Sequence, residues 1–311
     1  MKSRLTCVTA CALFLALGVI SIRYIVDFWL LGFVNSFQLH IAVVTALFAA
    51  LCLVVLRSRV FVILLVWALT LTAHAAYMHT EFVTEAFAPD GSKPFRLLSF
   101  NVLMDNSANA ESIADTILAS NADAVYVLEA AALTDVLPRI QQTYPYRLGC
   151  GEGTQSCDLL MLSKRPLENA RVRSSSYISR DRFATAMVDI DGIKLTLAAA
   201  HLAKPYFDQY HRNELGRIRA RLTAVKGPLI LAGDFNSASI APDMQEFLLT
   251  TDLKKAPWEP ATWPIPAGQF GIAIDHIFAR KPTTLMKLER LADNHGSNHY
   301  GLVADFAIAA P

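Results

Sequence analysis

The chain has 311 residues, 53% of them hydrophobic, with 28 Lys and Arg against 27 Asp and Glu and a net charge of +1. That balance excludes a strongly basic, dedicated nucleic-acid binder. The apolar excess is not spread evenly but sits at the front of the chain.

Leu5 to Ile22, Phe37 to Leu56 and Val60 to Tyr77 are three apolar runs within the first 78 residues. Each is close to the roughly 20 residues that a helix needs to cross a bilayer core. We therefore expect residues 1–78 to form three transmembrane helices, with the lipid bilayer as partner. No cut site follows a charged region before the second or third run, which argues against a cleaved leader. Lys2 and Arg4 precede the first run, Arg57 and Arg59 separate the second and third, and Arg23 stands against Asp27 between the first two. Excess Lys and Arg mark the cytoplasmic side. The expectation is a multi-pass protein of the inner (cell) membrane, its N-terminus cytoplasmic and everything after Tyr77 extracytoplasmic. Tyr24 to Val34 is also apolar, and reads either as a surface-lying segment or as part of a longer, tilted span.

Cys7, Cys11 and Cys52 lie inside the apolar runs, where cysteine behaves as a small hydrophobe. Cys150 and Cys157 remain, on either side of a Gly-rich turn. Outside the cytoplasm this pair is expected to form a disulfide across a hairpin.

Residues 79–94 read as a linker, and 95–311 as one domain of ordinary size. Phe95 to Leu103 (FRLLSFNVL) is a strand, Glu111 to Ser120 has helical apolar spacing, and Asp123 to Glu129 (DAVYVLE) is a second strand. Further strands are expected at Asp158 to Ser163, Ala184 to Ile190 and Ile193 to His201, with Asp191-Gly192 as a hairpin turn. Asp208 to Val225 reads as the longest helix of this part. Pro228 to Ser237 (PLILAGDFNS) gives a buried strand, and Pro242 to Leu249 a helix. Strands at Ile272 to Ala279, Thr284 to Leu291 and Tyr300 to Ile308 complete a mixed α/β sandwich.

Several of these strands end on polar groups. Asn101 interrupts an apolar run, Glu129 and His201 each close one, and Asp234 with Asn236 follows another. Asp275 comes after Ile272-Ala273-Ile274, and Asn298-His299 precedes the last strand. In an extended chain Asp234 and Asn236 share a face, with Phe235 turned to the core, and His276 points away from Asp275. Taken singly, such groups are ordinary structural residues. As a set they suit phosphate chemistry: Glu129 and Asn101 offer oxygen ligands to a hard cation. Asp234 can orient or deprotonate a water, with Asn236 beside it. His299 backed by Asp275, with His201 as a second imidazole, can donate hydrogen bonds or act as acid–base groups.

The segments FRLLSFNVL, DAVYVLE, LAAAHL, LILAGDFNS, IDHIF and SNHYGLVADF, in that order, resemble the endonuclease/exonuclease/phosphatase (deoxyribonuclease I-like) superfamily over about residues 95–308. The preceding helices resemble its membrane-anchored bacterial members. The resemblance implies a four-layered α/β/β/α sandwich, preceded here by three transmembrane helices. It also implies Mg2+- or Mn2+-dependent cleavage of phosphoester bonds. It assigns metal binding to Asn101 and Glu129, and water positioning to Asp234 and Asn236. It pairs Asp275 with a catalytic His299 and puts His201 beside the scissile phosphate. Two positions depart from the pattern: Leu128 stands where Gln is usual, and Asn298 where Asp is usual. The second removes a charge whose loss, for an outer-shell partner, would weaken the site by about 10–100-fold.

Five of the Lys and Arg and one of the acids fall in residues 1–78, so the remainder carries 23 bases against 26 acids and is about −3. Local basic stretches such as Arg180 and Arg182 could still form a phosphate-attracting rim. Trp258 and Trp263 are candidates for a substrate wall or for packing. Extracellular nucleic acid, phospholipid head groups and small phosphodiesters all remain open as substrates. The alternative is a membrane-tethered binding protein on a degenerate catalytic fold, for which Asn298 is the motive. No protein partner can be inferred.

Overall fold

The computed structural model describes residues 2–310. The three apolar runs form α1 (Lys2–Ser21), α3 (Gln38–Leu56) and α4 (Val60–Met78), each long and apolar enough to cross a membrane. Their exposed sides carry Phe14, Leu47, Val54 and Ile63, whereas Leu17, Ala42, Ala49, Phe61 and Ala68 pack between them. Small residues at these contacts let the helices approach closely. The stretch after α1 does not lengthen a span. It turns through short 3-10 segments into α2 (Gly32–Ser36) and lies against the rest of the protein.

Beyond α4 the chain runs β1 (Lys93–Asn101), α5 (Ala110–Ala119), β2 (Ala124–Leu128), α6 (Leu137–Ile140), β3 (Tyr146–Leu148), β4 (Leu159–Ser163) and β5 (Glu168–Arg173). It continues through β6 (Phe183–Ile190), β7 (Ile193–His201), α7 (Tyr210–Leu222), β8 (Leu229–Asp234) and α8 (Pro242–Thr251). β9 (Asp275–Arg280), β10 (Thr283–Arg290) and β11 (Leu302–Ile308) close the fold. One sheet has the order β10-β11-β1-β2-β4-β3 and the other β5-β6-β7-β8-β9. Strand alternation divides the apolar residues between faces. Leu97, Tyr126, Leu197 and Ile230 fill the space between the sheets. Leu98, Val125 and Leu160 pack under α5 and α6, and Ala198, Leu231 and Phe278 under α7 and α8. The result is the expected α/β/β/α sandwich.

Four local expectations change. β9 starts at Asp275 rather than Ile272, because Ile272 bridges Trp263 in the preceding loop. α7 starts at Tyr210, since Asp208 takes a left-handed backbone, and it ends at Leu222. Edge strands β3 and β5 carry no clear apolar alternation; β5 (ENARVR) is nearly all exposed, so periodicity did not reveal it. The segment expected to be a linker is docked: the Thr84 N–H donates to Lys255 O, and the Lys255 N–H to Phe82 O, both at 2.8 Å. Cys150 and Cys157 form the expected disulfide.

Candidate active site

The site grows out of the same alternation. Asn101 continues the inward set of Phe95 and Leu97, and His201 that of Leu195, Leu197 and Ala199. Asp234 follows Ile230 and Ala232, and Asp275 precedes Ile277 and Ala279. Four polar groups thus occupy inward positions where the core gives out at one end of the sandwich. Strand register brings them side by side, His201 opposite Asp234 and Asp234 opposite Asp275. Asn101 crosses from the other sheet, its Nδ2 donating to Asp234 Oδ2 at 3.0 Å and to Glu129 Oε1 at 3.2 Å.

Gly233 makes this closeness possible. Its φ is +145°, and a Cβ there would come within 1.8 Å of Ala200 O. Only glycine lets β8 approach β7 in this way. Glu129 and Asn236 both have left-handed φ, 56° and 52°. A non-glycine residue held there costs free energy and is concentrated at functional sites. Asn236 therefore lies outside the strand, which corrects the expectation that it shares a face with Asp234 by simple alternation. Its N–H donates to Asp234 Oδ1 at 2.8 Å, and its Nδ2 to Leu202 O at 3.0 Å. Phe235 points to the core as expected.

Two imidazoles converge on Asp234. His299 binds Asp275 through Nδ1 at 2.8 Å, and its Nε2 lies 3.8 Å from Asp234 Oδ2. His201 Nε2 lies 3.7 Å from the same oxygen. All four groups are almost fully buried. Burial works against a charge on His299, but Asp275 and Asp234 more than offset it and raise its pKa to about 9. For Asp234, burial and then Asp275 raise the pKa, outweighing the opposing pull of the two histidines.

Several participants were not foreseen. Asp158 stands behind His201, 2.7 Å from its Nδ1, and pairs with Arg182 at 2.7 Å. Burial opposes its charge, yet His201 and Arg182 hold its pKa below the ordinary carboxylate range. Its backbone oxygen accepts the N–H of Ala130, next to Glu129, and it follows directly on the Cys157 half of the disulfide. The only trace in the sequence was an acid at the start of an apolar strand. Ser297 Oγ donates to Asn101 O and accepts the His299 N–H, tying the β10–β11 loop to the end of β1. The carbonyls flanking Asn236 are each held by a buried histidine. His211 bridges Phe235 O and Asp243, and His276 bridges Ser237 O and Glu259, at 2.6–2.8 Å. A carbonyl and a carboxylate can only accept, so both rings donate twice and are imidazolium. Burial alone would lower their pKa values, but the paired acids raise them. His276 does point away from Asp275, as the alternation required.

Asn298 is exposed and makes none of the hydrogen bonds that join these groups. Leu128 is buried between the sheets. Trp263 packs against Phe33 and Phe37 of the segment around α2, whereas Trp258 is exposed.

The donor chemistry fits a hard divalent cation. Oxygen-bearing Asn101, Glu129 and Asp234 meet at the end of the sandwich, with Glu129 half-exposed. Ligand atoms of Asp234, Asp275 and His299 also lie within 4.8 Å of one another. With His299 held protonated by Asp275 and Asp234, its ring has no free lone pair, so that trio suits an acid–base pair better than a cation cage.

Comparison with known proteins agrees with this fold. D. rerio TDP2 complexed with a single-strand DNA product superposes with a TM-score of 0.57 at 18% identity, over 69% of this chain and 99% of that one. Sphingomyelinase C from Streptomyces griseocarneus gives 0.51 at 16% identity, over 70% and 100%. A double mutant of Staphylococcus aureus beta toxin with bound magnesium ions gives 0.52 at 16% identity, over 68% and 99%. At such identities these likenesses establish the fold alone. No curated protein matches the sequence significantly. The family model described as Endonuclease/Exonuclease/phosphatase family matches residues 98–299, from β1 to His299 and so across every group placed at the site. The chain belongs to this family of divalent-metal-dependent phosphoester hydrolases.

Proposed function

We propose that the protein is a membrane-anchored, metal-dependent phosphoesterase that acts on the extracytoplasmic side. Residues 1–78 anchor it, 79–94 lead out of the membrane and 95–311 form the catalytic unit. The observation that carries this reading is the convergence of two carboxylate-backed histidines on Asp234. Glu129 and Asn101 would hold the cation. When bound, Mg2+ or Mn2+ supplies Lewis acidity to a phosphoryl oxygen.

The protein's own groups do the rest. Asp234 and Asn236 orient the attacking water in line with the leaving group, and Asp234 takes its proton. His299, kept protonated and aimed by Asp275, gives a proton to the departing alkoxide. His201, aimed by Asp158, donates to the phosphoryl oxygen. Burial of these groups strengthens each interaction at the moment charge develops. The alternative is a binding-only protein on a degenerate catalytic fold, for which Asn298 is the motive; the intact Asn101, Glu129, His201, Asp234, Asn236, Asp275 and His299 support the enzyme.

The test uses the full chain in detergent micelles, with bis-p-nitrophenyl phosphate and p-nitrophenyl phosphate under Mg2+, Mn2+ or chelator. Metal-dependent turnover is expected, falling at least about 10²-fold in Asp234→Ala and His299→Ala, as loss of an acid–base group does. Turnover that persists with chelator, or in both variants, would overturn the assignment.

A further inference from the structure

We infer that the catalytic cleft opens onto the outer leaflet in which the helices are embedded, and that its substrate is a phosphodiester carried by a lipid of that leaflet. This rests on the phosphoesterase and membrane-anchor readings above. It starts from where the apolar helices touch the sandwich. Four of these contacts fall on loops at the active-site end. Gly32 sits so close to Pro205 that a Cβ would come within 2.9 Å of the proline Cβ. Pro205 is four residues after His201. The Ser36 Oγ accepts the Ala238 N–H at 3.0 Å, and Arg23 donates to Ile240 O at 2.8 Å, two and four residues after Asn236. His40, in the first turn of α3, bonds Phe270 O at 3.0 Å, five residues before Asp275. The ends of β7 and β8 and the approach to β9 therefore rest on the outer ends of α1, α3 and α4.

That arrangement sets the height of the cleft. Ile25, Val26, Phe28 and Leu30, between α1 and α2, are exposed apolar residues where the spans emerge. Aromatic and aliphatic groups at this level belong in the interfacial layer of a bilayer. Asp27, among them, pairs with Arg212 of α7 at 3.0 Å and fixes the sandwich against that level.

The mouth of the cleft continues this apolar surface. Glu129, His201 and Asn236 line a cleft whose lip is formed by Ile178 and Phe207. Phe207 is 52% exposed, and its ring stacks edge-on with Tyr206, which packs on Phe33. Phe270, beside His40, is 74% exposed. A soluble enzyme gains nothing from bare phenylalanines at these points, but each buries its ring when seated in a leaflet. Lys204 and Arg182, on the same cleft, suit the phosphate of a head group lying just above. In the reaction water oxygen adds to phosphorus while the P–O bond to one ester alcohol breaks. The water proton passes to Asp234 and a proton from His299 goes to the alkoxide, giving a phosphomonoester and an alcohol.

The full chain would be reconstituted into vesicles of equal parts phosphatidylcholine, phosphatidylethanolamine, phosphatidylglycerol and sphingomyelin. Lipid with a radiolabelled phosphate is placed either in these vesicles or in protein-free vesicles mixed with them. Bis-p-nitrophenyl phosphate and plasmid DNA are assayed in parallel. Release of label is expected from the protein's own vesicles at least about tenfold faster than from the others. In Phe207→Ser/Phe270→Ser the ratio of lipid to bis-p-nitrophenyl phosphate turnover should fall about tenfold, the effect of losing one well-buried apolar ring. Equal release from both vesicle sets would overturn the inference. So would an unchanged ratio in a folded variant, or turnover of the soluble diester or DNA with no lipid cleaved. Turnover of none of them, with metal present, would sink the phosphoesterase reading itself.

Discussion

Asp158 illustrates how much of this site depends on groups that never meet the substrate. It fixes the His201 ring through Nδ1, which leaves Nε2 directed at Asp234, and it is itself held by Arg182. Asn in its place keeps the shape but loses the charge that matches both partners. We expect Asp158→Asn to lower turnover of bis-p-nitrophenyl phosphate by about 10–100-fold, as loss of an orienting partner does. The circular dichroism spectrum should be unchanged. Asn298→Asp is the contrasting case. Its side chain is exposed and outside the hydrogen-bonded set. Restoring the family's acid should change turnover by less than about threefold, or ~0.6 kcal/mol in the barrier. A gain of tenfold or more, measured in the same assay, would mean that the exposed position still reaches the chemistry.

At the scale of the elements, the close approach of β8 to β7 rests on Gly233. Gly233→Ala puts a methyl group into the backbone of Ala200 and demands a φ that alanine resists. The expected cost is about 2–4 kcal/mol, overpacking added to backbone strain, read as a fall in thermal midpoint in micelles. Gly192→Ala in the β6–β7 turn also has positive φ but open space around it, and should cost only about 1 kcal/mol. This contrast also explains what the sequence could reveal. Apolar runs bounded by clear breakers made β1, β2, β6, β7, β8 and the Asp191-Gly192 turn legible, and the two-residue strand period carries Asn101, His201, Asp234 and Asp275 to the inner face. Two kinds of feature were hidden. Glu129 and Asn236 stand out as residues, but the left-handed backbone that places them is something alternation cannot express. Asp158, Ser297, His211 and His276 act through partners that are distant in sequence, and their own neighbourhoods resemble any strand start or helix.

For the molecule as a whole, the join between helices and sandwich is part of the site rather than a tether. Ala75 and Met78 of α4 pack with Ala238 and Ile240 just past Asn236. Beneath them lies a buried charge cluster. Lys255 Nζ donates to His79 O, at the end of α4, and pairs with Glu259 at 3.0 Å, and Glu259 binds His276 at 2.6 Å. Burial opposes the charge on Glu259, but His276 and Lys255 hold its pKa well below the usual carboxylate range, and Glu259 in turn raises that of His276. A depressed acid contributes stability above its unfolded pKa, about 4.3, and loses it as pH falls through the folded value. A raised histidine contributes fully below its unfolded pKa, about 6.5, and loses it as pH rises through the folded value. Both contributions are complete only between these limits, so thermal stability should peak near pH 5–6 and decline on either side. Glu259→Gln removes this pair's share of both slopes and leaves Lys255 and His276 without their counter-charge, at a cost of about 3–5 kcal/mol. Melting curves of the full chain from pH 4 to 9 check this: both slopes should be shallower in the variant than in the wild type, and unchanged slopes in a folded variant would show that Glu259 and His276 do not titrate as this pair.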